Sequence, residues 1–214
     1  MTVRPIRPDD VAAVVGLVRE LAEYEEAPQE ARMTEAQLSA ALFGDSPRLF
    51  GHVAVADGEV VGMALWFLNF STWRGTHGVY LEDLYVRPGH RGSGLGRELL
   101  RTLADLCVQR GYGRLEWSVL DWNTPSIDFY RAAGAVAMDE WTVFRLTDDA
   151  LTGFAAAHRR QQVALALALV ALAPHLTVAI AAVGLVGGFA GIAFLTGLTI
   201  IGAQVADDVR GRIV

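Results

Sequence analysis

The sequence predicts a mixed α/β domain followed by a hydrophobic C-terminal segment of different character. Strand-like runs alternate with amphipathic helical patterns through roughly the first 150 residues, an ordinary size for one α/β core. Composition then changes: residues 1–152 hold 14 of the 18 arginines and 22 of the 24 acidic residues, a formal charge of −8, whereas residues 153–214 carry +2. A glycine-rich turn between a strand and a helix lies near the middle of the first part. We therefore expect one domain at residues 1–152 and an appendage after it.

The first half of the domain is predicted to contain two helices and an antiparallel hairpin. Asp9 or Asp10 can cap the first helix, whose apolar residues recur with the helical period. Thr34 opens a capping-box pattern before the second helix. The pair Asp57-Gly58, between two strand-like runs, is a strong hairpin signal. The predicted elements are a strand at 3–6, helices at 11–22 and 34–42, and strands at 52–56 and 60–68.

The second half is predicted to alternate between strands and helices. Glu82 and Asp83 interrupt the alternation of apolar residues in one strand, which is compatible with a β-bulge or with a mixed-polarity strand that has none. Asn123 or Thr124 can cap a short helix that Gly134 ends. The predicted elements are strands at 79–86, 114–120 and 141–146, and helices at 95–110 and 125–133.

The turn after the strand at 79–86 carries Arg91, Gly94 and Gly96 in an R-x-x-G-x-G spacing. Glycines permit a positive φ and a close approach of the main chain to a ligand, and a helix start offers unpaired N–H groups and the positive end of its dipole. This combination suits a phosphate or pyrophosphate. A P-loop is excluded because the chain has no lysine, and the G-x-G-x-x-G dinucleotide fingerprint is absent. An ordinary strand-to-helix turn is the alternative.

Five sequence segments carry a resemblance to a known family. They are STWRG at 71–75, YLEDLYV at 80–86, HRGSGLG at 90–96, VLDWN at 119–123 and FYRAAGA at 129–135. In this order they resemble the spermidine/spermine and thialysine acetyltransferase branch of the Gcn5-related N-acetyltransferase (GNAT) superfamily, and the predicted elements match that fold across residues 3–147. The resemblance implies acetyl transfer from acetyl-CoA to a primary amine of a small molecule: a lysine analogue, amino acid, diamine or polyamine. Polyamine enzymes of the branch carry an acidic residue where Ser71 stands, and the Ser71-Thr72 pair, similar to thialysine-type enzymes, favours a smaller amine.

The resemblance also implies roles for individual residues. Tyr130 is expected to donate a proton to the departing CoA thiolate, and Glu82 to accept the amine proton through water, with a substrate-facing or salt-bridged Glu82 as the alternative. Cofactor contacts are expected from Leu84, Tyr85, Val86, Arg91, Gly92, Ser93, Gly94, Leu95, Gly96, Asn123 and Tyr130. Amine contacts are expected from Tyr24, Glu25, Glu26, Trp73, Glu82 and Asp83. A solvated helix end is the alternative for Glu25 and Glu26.

Other partner classes are constrained by composition. The acidic charge argues against nucleic acid, and the five histidines show no metal-ligand spacing, so no metal is expected. The N-terminal residues contain no apolar run, so we expect no signal peptide and a cytoplasmic catalytic domain. The branch's enzymes are dimers, which implies a homodimer. A catalytically silent acetyl-CoA sensor and a membrane scaffold are the alternative functions.

The C-terminal segment at 163–205 contains no charged residue over 43 positions, which is long enough for two membrane-spanning helices. A hairpin turning near its central glycines would place the arginine pairs at 159–160 and 210–212 on one side, as the positive-inside rule requires. We therefore predict a linker at 153–162, a two-pass transmembrane hairpin at 163–205 that anchors the protein, and a polar tail at 206–214. A buried oligomerisation hairpin is the alternative.

Overall fold

The computed structural model describes residues 1–171, 183–185 and 187, and the chain divides into two compact units, Met1–Ala137 and Met138–Val214. The strands are β1 (Thr2–Pro5), β2 (Phe50–Ala56), β3 (Glu59–Ser71), β4 (Thr76–Val86) and β5 (Leu115–Glu116). The α-helices are α1 (Val11–Tyr24), α2 (Glu35–Phe43), α3 (Leu95–Arg110), α4 (Thr124–Ala132) and α5 (Asp148–Ala171). Short 3₁₀ turns lie at Pro8–Asp10, Pro28–Glu30 and Pro88–His90.

The five strands form one sheet in the order β1-β2-β3-β4-β5. The first four pair antiparallel, and β5 joins β4 in parallel. Asp57 and Gly58 connect β2 to β3 with φ of 53° and 85°, the left-handed conformation that tight hairpin turns require. The predicted mixed α/β sheet and its Asp-Gly hairpin are therefore confirmed.

Strand β4 contains a β-bulge at Glu82. Leu65 of β3 pairs with Asp83 and Trp66 pairs with Leu81, so Glu82 has no opposite residue. Of the two interpretations that the sequence left open, the bulge is confirmed. An extra residue shifts the phase of a strand by one position, so residues beyond it change faces.

The hydrophobic core has two parts, one on each face of the sheet. Leu99 and Leu103 of α3 pack with Ala64 and Trp66 of β3 on one face. The opposite face packs against α1 and α2, and its fully buried members include Val14, Leu17, Leu38, Val53 and Met63. The helical and strand periodicities in the sequence predicted both faces because each element buries the stripe that its period brings to one side.

Two predicted strands differ in the structure. The strand expected at 114–120 reduces to β5, and the closing strand expected at 141–146 does not form. A strand needs a ladder partner for its main-chain groups, and no described residue pairs with 141–146. Trp141 and Phe144, which read as strand residues, are 64% and 92% exposed.

The C-terminal helix α5 runs through the predicted linker at 153–162 and into the predicted transmembrane segment. Residues 172–182, 186 and 188–214, which include most of that segment and all of the polar tail, lie outside the described residues. Among the residues that the structure describes, no helix is both long and apolar enough to cross a membrane. The two-pass hairpin stays a prediction, as does a domain boundary at residue 152.

Candidate active site

The glycine-rich turn has the predicted strand–turn–helix form. Gly92 and Gly94 adopt φ of 76° and 91°, a region that other L-residues rarely occupy, and α3 begins immediately after Gly94. A Cβ at either glycine would contact nothing within 4 Å, so the requirement for glycine is conformational rather than steric. The Ser93 hydroxyl donates to the main-chain oxygen of His90 at 2.6 Å and braces the turn. The first N–H groups of α3 therefore face a ligand from a preformed loop.

Arg91 is held against the protein at the start of this turn. Its Nε donates to the main-chain oxygen of Val86 at 2.9 Å. Its guanidinium lies 4.8 Å from the ring centre of Tyr24 and 5.5 Å from that of Tyr85. Arg91 thus joins the turn to the end of β4 and to the end of α1.

Strands β4 and β5 separate in front of the turn. Their pairing covers only Val79 with Leu115 and Tyr80 with Glu116, and the Tyr80 and Ser118 hydroxyls meet at 2.9 Å just beyond it. Strand β4 then continues to Val86. The two strands therefore leave an opening along the second half of β4.

Main-chain groups of β4 point into this opening at alternate positions. The Arg87 N–H donates to the Val61 oxygen at 2.9 Å, so by the alternation of an antiparallel ladder Tyr85 also directs its main chain to β3. Leu84 and Val86 then direct theirs away from β3, to an edge on which β5 no longer pairs. Main-chain contacts to the cofactor were predicted for Leu84, Tyr85 and Val86. Leu84 and Val86 direct their main-chain groups to the unpaired edge and could make such contacts, whereas Tyr85 directs its groups to β3.

The bulge turns Asp83 toward α1. Val79 and Leu81 face α3 before the bulge, whereas Leu84 packs with that same cluster after it, so Asp83 shares a face with Tyr85. The pKa of Asp83 is raised to about 6 by burial and by the negative charges of Glu82 and Glu25. The pKa of Glu25 is also raised by burial. Two carboxylates separated by 58 positions in the sequence are therefore close enough for their charges to interact.

Tyr130 of α4 is also influenced by the charge of Glu25. Its half-buried ring packs against Trp117 and Phe129, with ring centres 4.8 and 5.3 Å away. Burial, and secondarily the negative charge of Glu25, raises the pKa of Tyr130 to about 12. The charge of Glu25, just after α1, thus acts on Asp83 of β4 and on Tyr130 of α4.

Asn123 lies at the N-terminus of α4 and is almost completely buried. Its Oδ1 accepts the Ser126 N–H at 3.3 Å, which confirms Asn123 rather than Thr124 as the cap. The same oxygen accepts the Tyr24 hydroxyl at 3.1 Å. Sequence reasoning missed this link, because no local pattern relates residues 99 positions apart.

Glu26 and Trp73, two other predicted amine contacts, have exposed side chains. Glu26 follows α1 with an exposed side chain and a φ of 59°. Trp73 is 91% exposed in the turn between β3 and β4, and the seven residues of β4 that separate Thr76 from Asp83 span about 23 Å. Within one chain, the structure does not bring Trp73 to the carboxylates. The Ser71 hydroxyl accepts the Arg74 N–H at 3.3 Å in this same turn, so it also serves the local fold.

No group of three or more histidine, cysteine, aspartate or glutamate side chains is arranged to hold a metal ion in the part of the chain that the structure describes.

Comparison with known proteins places this arrangement in a family. The acetyltransferase (GNAT) family model matches residues 15–135. A thialysine N-epsilon-acetyltransferase from Bos taurus is 36% identical over 162 residues, covering 70% of this chain and 94% of the relative. The human spermidine/spermine N(1)-acetyltransferase-like protein 1 is 28% identical over 163 residues, which cover 72% of this chain and 23% of that protein. A solved integron cassette protein of V. cholerae superposes with a TM-score of 0.62 at 25% identity, covering 72% of this chain and 96% of that one. The chain is therefore an acetyltransferase of the GNAT family, in the branch of the thialysine and spermidine/spermine enzymes.

Proposed function

We propose that the chain transfers the acetyl group of acetyl-CoA to a primary amine of a small molecule, by direct attack of the amine on the thioester. One arrangement supports this proposal: the charge of Glu25 acts on both Asp83 and Tyr130, whose burial raises their pKa values, and β4 continues past the end of its pairing with β5. The glycine turn borders the same end of β4. A cation site, a proton donor and an anion site thus adjoin one another.

Acetyl-CoA fits the donors along this opening. The N–H groups of the turn from Gly92 to Gly96 suit the pyrophosphate, because they surround a helix start and include two glycines with positive φ. The predicted main-chain contact of Arg91 is less suitable, because its N–H donates to the Pro88 oxygen at 3.2 Å. The N–H groups of Leu84 and Val86 suit the pantetheine arm and the thioester oxygen, where negative charge develops during attack. Asn123 is proposed to contact the pantetheine arm farther along.

The acidic pocket suits a protonated amine. A lysine-type amine has a pKa of about 10.4 and must lose a proton before its nitrogen can attack. Glu82 was predicted as the base, and its side chain is exposed on the bulge. Asp83 is the second candidate, because its pKa of about 6 leaves it ionised at neutral pH yet more basic than an ordinary aspartate.

The proposed reaction combines proton transfers with the exchange of a C–S bond for a C–N bond. The carboxylate takes one proton from the ammonium, and the free amine nitrogen forms a C–N bond to the thioester carbon. The resulting oxyanion collapses and breaks the C–S bond, and the CoA sulfur leaves with the electron pair. Tyr130 donates its proton to that sulfur; its raised pKa ensures that the phenol is protonated across the physiological range. The attacking nitrogen loses its second proton, which returns through water to the Tyr130 phenolate, so the products are a neutral amide, CoA thiol and the protonated carboxylate.

A lysine analogue or similar small amine is the proposed substrate class. The Ser71-Thr72 pair and the thialysine acetyltransferase among the relatives support it. Anchoring of the chain to a membrane through residues 163–205 and a homodimer are kept as predictions, each resting on the sequence alone. Family membership favours the enzyme over an acetyl-CoA sensor or a scaffold.

The experiment is CoA release by the full-length protein with acetyl-CoA and a panel of lysine analogues, amino acids, diamines and polyamines. We expect turnover with one amine class and a loss of roughly 100-fold in kcat for Tyr130→Phe. Tyr112→Phe is the matched control, because Tyr112 packs edge-on against His77 at the far end of the sheet and should retain full activity.

Two results would contradict the proposal. Tight acetyl-CoA binding without acetylation of any amine would favour the sensor. Equal rates for Tyr130→Phe and the control would remove Tyr130 from the chemistry.

A further inference from the structure

Tyr24, the last residue of α1, contacts the elements that form the proposed cofactor site. Its hydroxyl donates to Asn123 at the start of α4. The Arg91 guanidinium carbon lies over its ring, 4.8 Å from the ring centre. The ring centre of Trp122 lies 5.9 Å from that of Tyr24, with 51° between the ring planes. No other side chain in the described residues joins α1, the glycine turn and α4 through such contacts.

The hydrogen bond determines which end of the Asn123 amide is available. Oδ1 accepts both the Tyr24 hydroxyl at 3.1 Å and the Ser126 N–H at 3.3 Å. Both lone pairs of this oxygen are then used, and the NH₂ group is left to donate to a ligand oxygen. Without the Tyr24 hydroxyl, only the Ser126 N–H would hold the amide in this orientation.

The ring of Tyr24 has an analogous effect on Arg91. The aromatic face attracts the guanidinium, while the Arg91 Nε donates to the Val86 oxygen at 2.9 Å. Together these contacts keep the cation beside the turn, where a phosphate group would bind. A long, flexible side chain is thereby ordered before the ligand arrives, so less entropy is lost on binding.

We propose that Tyr24 is a positioning residue for acyl-CoA, which acts through Asn123 and Arg91. This inference rests on the proposed function, because it requires that acetyl-CoA be the ligand of this site. It gives the Tyr24 hydroxyl a role separate from the expected packing of the Tyr24 ring on the alkyl stem of the amine.

The test uses the full-length protein and compares Tyr24→Phe with Tyr112→Phe. Both changes delete one phenolic oxygen, and Tyr112 lies away from the site. We expect Tyr24→Phe to raise the acetyl-CoA dissociation constant roughly fivefold, as the loss of one hydrogen bond does. The amine KM at saturating acetyl-CoA should stay within about twofold of wild type, since the aromatic ring is retained.

A double-mutant cycle separates positioning from a general structural role. Asn123→Ala removes the acceptor, so the effect of Tyr24→Phe on acetyl-CoA binding should largely disappear in the Asn123→Ala background. Thermal unfolding of all four proteins shows whether each variant is folded. Additive losses in acetyl-CoA affinity would mean that Tyr24 does not act through Asn123, and would overturn the proposal.

Other results of these measurements would assign Tyr24 a different role. A raised amine KM with unchanged acetyl-CoA affinity would assign Tyr24 to the amine site instead. Unchanged values for both would make Tyr24 structural only. If wild type itself does not bind acetyl-CoA, the proposed function fails together with this inference, whereas wild-type binding with an unaffected Tyr24→Phe overturns this inference alone.

Discussion

The junction between β1 and α1 and the bulge of β4 each contain a largely buried aspartate, in opposite electrostatic surroundings. Asp10, at the junction, accepts two hydrogen bonds from the Arg4 guanidinium at 2.6 and 2.8 Å and one from the Arg7 N–H at 2.7 Å. The Arg4 hydrogen bonds lower its pKa. Asp83, at the bulge, has carboxylates as its charged neighbours, and its pKa rises to about 6.

This difference indicates which carboxylate serves the fold and which serves a ligand. A buried charge is tolerated when it is paired, as Asp10 is. A carboxylate grouped with other carboxylates opposes folding, and such groups concentrate at functional sites. A bound ammonium would give Asp83 the partner that Arg4 gives Asp10. The comparison therefore predicts opposite effects on stability when each charge is removed.

The largest effect is expected for Asp83→Asn. At pH 8 we expect kcat/KM to fall roughly 100-fold or more, because the variant can neither bind an ammonium by charge nor accept its proton. The acidic limb of the wild-type pH profile, expected near pH 6, should be absent. Asp105→Asn, at an exposed position of α3, is the control with the same chemical change. Retained activity with an unchanged pH profile would place Asp83 outside the chemistry.

The same variant should be more stable than wild type at alkaline pH. Between the ordinary aspartate pKa of 3.8 and about 6, folded Asp83 binds a proton that the unfolded chain has released. Stability therefore falls as pH rises through this window, and above it Asp83→Asn is expected to gain roughly 2–3 kcal/mol in free energy of unfolding. Urea unfolding at pH 4 and pH 8 measures this difference, which should vanish at the lower pH.

Asp10→Asn should instead lower the stability of the protein. Removing one partner of a buried pair leaves the Arg4 charge uncompensated, so the free energy of unfolding should fall by about 3 kcal/mol at pH 7. Because the pKa of Asp10 is lowered in the folded state, its contribution is present above the ordinary aspartate pKa and is lost as pH falls through the folded value. The kcat of the folded protein should not change. If Asp10→Asn were as stable as wild type, Asp10 would not stabilise the fold and the predicted difference from Asp83 would be wrong.

Glu26 differs from both aspartates because the strain of its main-chain conformation, rather than its charge, is expected to affect stability. It occupies a left-handed conformation after α1, with the Ala27 N–H bonded to the Ala22 oxygen at 2.9 Å, a helix end that usually takes glycine. Glu26→Gly should raise the free energy of unfolding by about 1 kcal/mol, because a side chain in this conformation is strained. If its charge attracts the amine, both Glu26→Gly and Glu26→Gln should raise the amine KM several-fold.

The control for Glu26 is Asp57→Gly in the β2–β3 turn. Asp57 has a similar φ of 53° but lies in a hairpin turn, not at the acidic end of α1, so its replacement should leave the amine KM unchanged. Equal amine KM values for wild type and Glu26→Gln would mean that Glu26 does not bind the amine and is only a solvated helix end.

Local features of the fold could be predicted because they depend on neighbouring residues. The Asp57-Gly58 turn, the positive φ at Gly94 and the capping box at Thr34 each follow from main-chain preferences within a few residues. The bulge at Glu82 was one of two interpretations, since a phase slip shows in the pattern but its partner strand does not. The strand expected at 141–146 was wrong because strand formation depends on a partner that periodicity does not reveal.

The sequence by itself determined the family, the order of most elements and the residue types at the site. Tertiary structure alone decided how those residues are used. Asp10 could be expected to cap a helix, yet it pairs with Arg4; the charge of Glu25 acts on Asp83, and the Tyr24 hydroxyl donates to Asn123. The physical reason is that main-chain conformation is a local property, whereas desolvation, pairing of charges and hydrogen bonding depend on distances between side chains that only the folded chain establishes.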